Sequence, residues 1–210
     1  MYRSAAPTET GFTNWETADN TLPSNLVIGD YTLSAPVAGL NAGLTLRSID
    51  RGGNDGYTGT LASLTQTWWG QPQTSAGPGG YITIDIAGLA AGDYSFTGWF
   101  LDQEDQTGEM TIDFSNDDGA SFTPGVVPTF NLVSGNQGAT APIVQSFDFT
   151  STGDDVQFRF RNVSVDGAGS SGAFALISGF SIAVVPEPSS LALLGVGGVG
   201  LCVLWRRART

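Results

Sequence analysis

The sequence predicts an all-β protein: an antiparallel two-sheet β-sandwich, jelly-roll-like, followed by a single C-terminal transmembrane helix. Three observations carry that expectation. Ile82, Ile84 and Ile86 alternate with Thr83 and Asp85, and Val156, Phe158 and Phe160 alternate with Gln157, Arg159 and Arg161. This period of two puts apolar side chains on one face of a sheet and polar ones on the other. Turn-formers are abundant, with 29 Gly and 10 Pro among 210 residues, as many short strands require. Finally, residues 191–205 form an apolar run without a charge, followed by a basic end.

Candidate strands follow one another at short spacing, at 26–34, 43–49, 81–86, 93–101, 110–115, 126–133, 143–150, 156–163 and 173–184. Turn chemistry separates them: Ala-Gly-Asp at 91–93, Asn-Asp-Asp-Gly at 116–119, Ser-Gly-Asn at 134–136 and Gly-Ala-Gly-Ser-Ser-Gly at 167–172. A parallel sheet needs crossover connections of about a dozen residues, usually helical, and none is legible. One short helix is expected at 61–69, where Leu61, Leu64 and Trp68 recur at helical spacing. No internal repeat supports a propeller or solenoid.

Composition narrows the function. Hydrophobic residues make up 40 % and aromatics 10 %, enough for one packed core. Charged residues are 13 %, against a usual share of about 25 %, which disfavours a helical bundle with charged faces. There is no Lys, and 8 Arg against 20 acidic residues give a net charge of −12. Such a body repels polyphosphate, so no nucleic-acid partner is expected. The absence of His removes Ser-His-Asp and Cys-His nucleophile systems and every His-ligated zinc or iron site. The single Cys, Cys202, lies in the apolar tail and permits no intrachain disulfide.

The chain divides into a sandwich at 1–183, a linker at 184–190 and a tail at 191–210. As a helix, Ser189 to Trp205 would rise about 25 Å, a little under the roughly 30 Å hydrocarbon core. Trp205 and the cluster Arg206, Arg207 and Arg209 can close the gap by anchoring at the interface. Gly195, Gly197, Gly198 and Gly200 suit a membrane helix better than a soluble one, and the basic end belongs on the cytoplasmic side with the body outside. The order Pro186-Glu187-Pro188, apolar span, terminal Arg cluster resembles the PEP-CTERM protein-sorting signal. That resemblance implies export from a Gram-negative-type bacterium, recognition by an exosortase and processing near Pro186-Glu187-Pro188. It also implies a setting of exopolysaccharide production and envelope assembly. The protein would be membrane-anchored, or secreted after processing. Residues 1–25 hold no apolar h-region, so the leader of an exported chain is expected upstream of Met1.

Several segments invite a chemical reading. Ser115, Asp117, Gly119, Ser121 and Phe122 stand in the order of an Asp box, whose resemblance implies a hairpin staple: an Asp caps backbone amides and Gly takes a positive φ. Asp102, Glu104 and Asp105 form a dense acidic loop that could offer oxygens to a structural Ca²⁺, and Asp50, Asn54 and Asp55 form another. No other cofactor is expected. Carboxylates for glycoside hydrolysis could come from Asp102, Glu104, Glu109 or Asp113. Ala-Gly-Ser-Ser-Gly at 168–172 has the spacing of a weak nucleophile elbow but lacks a His base and reads as a turn. Tyr57, Trp68, Trp69 and Trp99, with Arg51 nearby, are candidate sugar-stacking and sugar-bonding residues. The Gly88-Leu89-Ala90-Ala91-Gly92-Asp93-Tyr94 segment resembles the strand-to-strand hairpin of extracellular carbohydrate-binding jelly rolls. The expected function is that of a non-catalytic envelope or matrix module that binds polysaccharide. A carboxylate-dependent enzyme or a purely structural matrix protein is the alternative.

Overall fold

A computed structural model describes residues 15, 24–35, 47–50, 67–72, 80–101, 108–132, 142–163 and 174–186; at 47–50, 67–72 and 174 only the backbone is described. Among these residues are twelve strands: β1 (Leu26–Ile28), β2 (Tyr31–Ser34), β3 (Arg47–Asp50), β4 (Thr67–Pro72), β5 (Tyr81–Ala87), β6 (Gly92–Phe100), β7 (Glu109–Ser115), β8 (Phe130–Asn131), β9 (Ile143–Ser151), β10 (Val156–Asn162), β11 (Phe174–Ile177) and β12 (Gly179–Val184). One layer is a six-stranded sheet in the order β1-β2-β5-β10-β7-β8. The strands β12-β6-β9 and β11-β4-β3 form two three-stranded sheets, and β11 runs into β12 across the single residue Ser178. Every pairing is antiparallel. From β5 to β7 and from β8 to β10 the chain passes to the facing layer and back, so most pairings join strands distant in sequence.

The alternation read from the sequence sets the core. Ile82, Ile84, Ile86, Val156, Phe158 and Phe160 are at most 1 % exposed, and Phe96 and Phe100 of β6 meet them from the opposite layer. Phe96 lies 4.8 Å from Phe158 and 6.0 Å from Phe160, ring centre to ring centre, while Phe149 stands edge-on to Phe158 at 5.3 Å. Each such side chain contributes about 1.5–3 kcal/mol by leaving water, and the tilted ring pairs add a smaller, geometry-dependent attraction. Trp15 is also buried here, its indole N–H donating to the Ser24 carbonyl at 2.6 Å.

Four expectations are corrected in detail. The strand expected at 26–34 is a two-strand hairpin, turned at Gly29-Asp30, where Gly29 takes φ 61°. The helix expected at 61–69 is contradicted at its C-terminal end: residues 67–69 open β4, a strand that pairs with both β3 and β11, and 61–66 lie outside the described residues. Aromatic Trp68 and Trp69 fit a pleated surface, and ladder bonds on both sides override a weak helical spacing. The segment expected at 126–133 forms a ladder only at Phe130–Asn131. The expected hairpin at 88–94 is instead an arch between layers, since β5 pairs with β2 and β10 while β6 pairs with β9 and β12. Its geometry is held by the Tyr94 hydroxyl, which donates to the Ala90 carbonyl at 3.0 Å, and by the buried Leu89. Residues 187–210 lie outside the described part, so the expected membrane helix does too; among the described residues no helix is long and apolar enough to cross a membrane.

Candidate functional site

The two outward faces of the sandwich differ in chemistry. On the six-stranded sheet, strand register stacks polar side chains in rows across β5, β10 and β7: Asp85, Gln157 and Ser115; then Thr83, Arg159 and Asp113; then Tyr81, Arg161 and Thr111. The segment following β7 folds back along that strand, with Phe114 and Thr123 exchanging backbone bonds and Thr111 Oγ1 donating to the Val127 carbonyl. This places a polar face largely out of water. Asp113, fully buried, receives Arg159 Nε and Nη2 at 2.9 and 2.8 Å, Arg161 Nε and Nη2 at 3.1 and 3.3 Å, and the Gly125 N–H at 2.9 Å. Burial works against its charge, but the Arg161, Gly125 and Arg159 bonds outweigh it and hold the carboxyl below the usual range. Arg159 also lies over the Phe122 ring, with Cζ 3.9 Å from its centre. Asp113 is thus an anchor saturated by donors. Glu109, the other described carboxylate of the hydrolase reading, lies four residues away on the same strand, about 13 Å along it. Paired glycosidase carboxyls stand roughly 5–9.5 Å apart.

Around Asp117 the chain makes a tight knot. Ser115 Oγ donates to Asp117 Oδ1 at 2.6 Å and accepts the Gly119 N–H at 2.9 Å; the Ser121 N–H and hydroxyl both reach the Asp117 carboxylate. These bonds, first Ser115 and then Ser121, pull its pKa down to about 2. Asp118 and Gly119 take positive φ, 54° and 75°, and a Cβ at Gly119 would stand 2.5 Å from Gln157 Oε1. The knot thereby brings Asp118 beside Asp85 and Asp155, with the three carboxylates within 4.8 Å of one another. Burial pushes the Asp85 carboxyl up, and the Asp118 and Asp155 charges push the same way; a Gln157 hydrogen bond partly offsets them. Oxygen donors of this kind suit a hard cation. Sequence reading missed the trio because its members are far apart in the chain and meet only through the β5–β10 register and the backbone bond from Asp118 N–H to the Asp155 carbonyl.

The outer face of β12-β6-β9 is different. Trp99, Thr97, Ser95 and Asp93 of β6 face outward beside Val144, Ser146, Asp148 and Thr150 of β9, and Ser181 and Ala183 of β12 continue the same surface. Thr97 and Ser146 hydroxyls are bonded at 2.9 Å, and Thr150 Oγ1 donates to Asp93 Oδ1 at 2.7 Å. Val144 is 51 % exposed and Trp99 half-buried, side by side in register. The face is therefore a strip of small hydroxylic side chains with an apolar pair at one end and carboxylates at the other.

Of the expected site residues, Trp99, Ser115, Asp117, Gly119, Ser121, Phe122 and Pro186 fall in the described part with their side chains, and Trp68 and Trp69 with their backbone alone. Trp99 lies on the β6 outer face; the Ser115–Phe122 group lies at the C-terminal end of β7 in the other layer. Pro186 is exposed one residue beyond Val185, whose N–H donates to the Asp93 carbonyl at 2.9 Å. Arg51, Tyr57, Asp102, Glu104, Asp105, Glu187, Pro188, Arg206, Arg207 and Arg209 lie outside the described residues.

Comparison with known proteins adds the following. Residues 184–208 match the family model for the PEP-CTERM protein-sorting motif. No curated protein matches the chain. Among solved structures, the body is similar to a family 35 carbohydrate binding module from Clostridium thermocellum (14 % identity, 73 % of this chain and 98 % of that chain, TM-score 0.38). It is similar also to CBM35 from Cellvibrio japonicus Abf62 (11 % identity, 70 % of this chain and 91 % of that one, TM-score 0.37). The enzymatically active domain of bacteriophage CBA120 tailspike protein 4 matches at 14 % identity and TM-score 0.38 over 75 % of this chain, which spans only 20 % of that chain. The chain carries a PEP-CTERM sorting motif at its C terminus, which implies exosortase processing and sorting to the bacterial cell surface.

Proposed function

We propose that this protein is an exported envelope or extracellular-matrix component whose β-sandwich body is a non-catalytic polysaccharide-binding module. The observation that carries the reading is the position of the sorting motif: it begins on the last residue of β12, so a folded, strongly acidic sandwich leads directly in sequence into the motif. The apolar run 191–205 then crosses the bilayer, with Arg206, Arg207 and Arg209 on the cytoplasmic side. An exosortase acts near Pro186-Glu187-Pro188 and leaves the body anchored or released outside. The binding surface is the β12-β6-β9 face, where Trp99 and Val144 offer an apolar platform for a pyranose ring and the hydroxyl strip offers hydrogen-bond partners.

Expression in an exosortase-positive host tests both halves. Fused behind a secretion leader, the chain is expected in the envelope or medium, and replacing Pro186-Glu187-Pro188 with alanines is expected to leave an unprocessed, membrane-bound form. Recovery of both forms in the soluble interior would refute the sorting half. For the body, a glycan array read alongside reducing-sugar release is expected to give binding that weakens on Trp99→Ala without bond cleavage. Turnover lost on Glu109→Gln would instead make it an enzyme.

A further inference from the structure

The charge pattern of the β12-β6-β9 face points to the class of polysaccharide. The three strands carry two carboxylates, Asp93 and Asp148, and no basic residue. Both are exposed, and the register Asp93↔Thr150 and Ser95↔Asp148 sets them on one diagonal of the ladder, roughly 7 Å apart. Thr150 holds one oxygen of Asp93, which fixes that carboxylate against the sheet. A polymer of uronic acids, or one bearing phosphate or sulfate, would meet these groups and a chain of net charge −12 with like charge. A neutral polymer lying across them would strip water from two carboxylates and return only hydroxyl hydrogen bonds. A polymer carrying ammonium groups answers both objections, because a charge-assisted N–H⁺ to carboxylate bond is stronger than its neutral counterpart.

We propose that this face binds an amine-bearing polysaccharide, a chain of partly de-N-acetylated hexosamine units whose ammonium groups meet Asp93 and Asp148 while its rings lie against Trp99 and Val144. Six residues of extended strand separate Asp93 from Trp99, about 20 Å, room for several units laid along β6. The small side chains between, Ser95, Thr97 and their neighbours, leave the strip flat. The inference rests on the polysaccharide-binding reading above and adds the charge of the ligand.

The test uses the full chain in polyoxyethylene-detergent micelles and three soluble probes: a glucosamine hexamer, its fully N-acetylated counterpart and a hexuronate oligomer. The glucosamine hexamer is expected to bind, the acetylated one about tenfold or more weakly and the uronate not at all. Raising ionic strength is expected to weaken the first, since exposed charge pairs are screened beyond about 8 Å at physiological salt. Asp93→Asn with Asp148→Asn is expected to lose about tenfold in affinity for the glucosamine hexamer. Asp30→Asn with Glu109→Gln removes equal charge from exposed positions on the six-stranded sheet and is expected to change it less than about twofold. Equal loss in the two double variants would reduce the effect to diffuse charge and overturn the proposal. Equal binding of acetylated and free hexamers, lost on Trp99→Ala, would overturn the amine assignment while leaving polysaccharide binding in place. No binding to any sugar would overturn both.

Discussion

Two aspartates on the polar face of the six-stranded sheet, near the row of Asp85, Gln157 and Ser115, respond to protons in opposite directions. Asp117, folded into a ring of donors from Ser115 and Ser121, has its pKa lowered from 3.8 to about 2. A depressed carboxyl contributes stability that is complete above its unfolded value and is lost as pH falls through the folded one. The contribution of Asp117 therefore disappears between about pH 4 and pH 2. Thermal unfolding of Asp117→Asn is expected to start lower than the parent at pH 7, with the gap closing across that window; a constant gap would mean packing rather than charge. Asp85 is the reverse case, raised by burial and by Asp118 and Asp155. The folded state holds its proton more firmly, so its ionisation reduces stability as pH rises above 3.8. Asp85→Asn keeps an acceptor for Gln157 Nε2, 3.4 Å away, and removes the like charge. In chelator-treated protein that variant is expected to melt higher than the parent at pH 7 and to converge with it in acid. A lower melting point at pH 7 would show the carboxylate to be stabilising in place.

At the scale of elements, β6 is the strand on which the layers turn, because it pairs on both sides and carries Phe96 and Phe100 into the core. Gly98 lies between those rings on the same inward face, and a Cβ there would stand 2.9 Å from both. Neither ring has room to withdraw, as both are wholly buried. Gly98→Ala is therefore expected to cost about 1–3 kcal/mol by overpacking, measurable as a lower denaturation midpoint with an unchanged slope. Such inward and outward assignments were legible before any coordinates: the odd and even positions of 81–86 and 156–161 sort by face as their hydropathy says. Which strand pairs with which was not. Alternation says nothing about partners, so the β5-to-β6 connection read as a hairpin when it is an arch, and the Asp85, Asp118 and Asp155 trio stayed invisible. β4 is illegible for another reason, since Leu61, Leu64 and Trp68 match a helical period while the ladder bonds that put 67–72 in a strand come from β3 and β11.

For the whole molecule, the join between sandwich and sorting motif has a mechanical consequence. Among the described residues β12 is an edge strand, paired only with β6, and its ladder extends to Val184, opposite Tyr94. Val185 makes one more backbone bond, to Asp93, and Pro186 has no N–H to continue the series. Among the described residues the ladder therefore finishes one residue before Pro186-Glu187-Pro188. β12 also runs toward the motif, so the Asp93 end of the β12-β6-β9 face lies beside Val185, and Trp99 lies at the far end, about 20 Å along the strand. Two truncations test this boundary. A chain ending at Pro188 is expected to keep the stability of the parent body within about 0.5 kcal/mol. A chain ending at Phe180 loses Ile182 from the core margin along with the final ladder bonds, and is expected to fall by about 2 kcal/mol or more. The reading is that processing at the motif releases a complete folded body rather than an unravelling one. Equal stability of the two truncations would place the end of the cooperative unit before β12, and the motif would then hang from a dispensable strand.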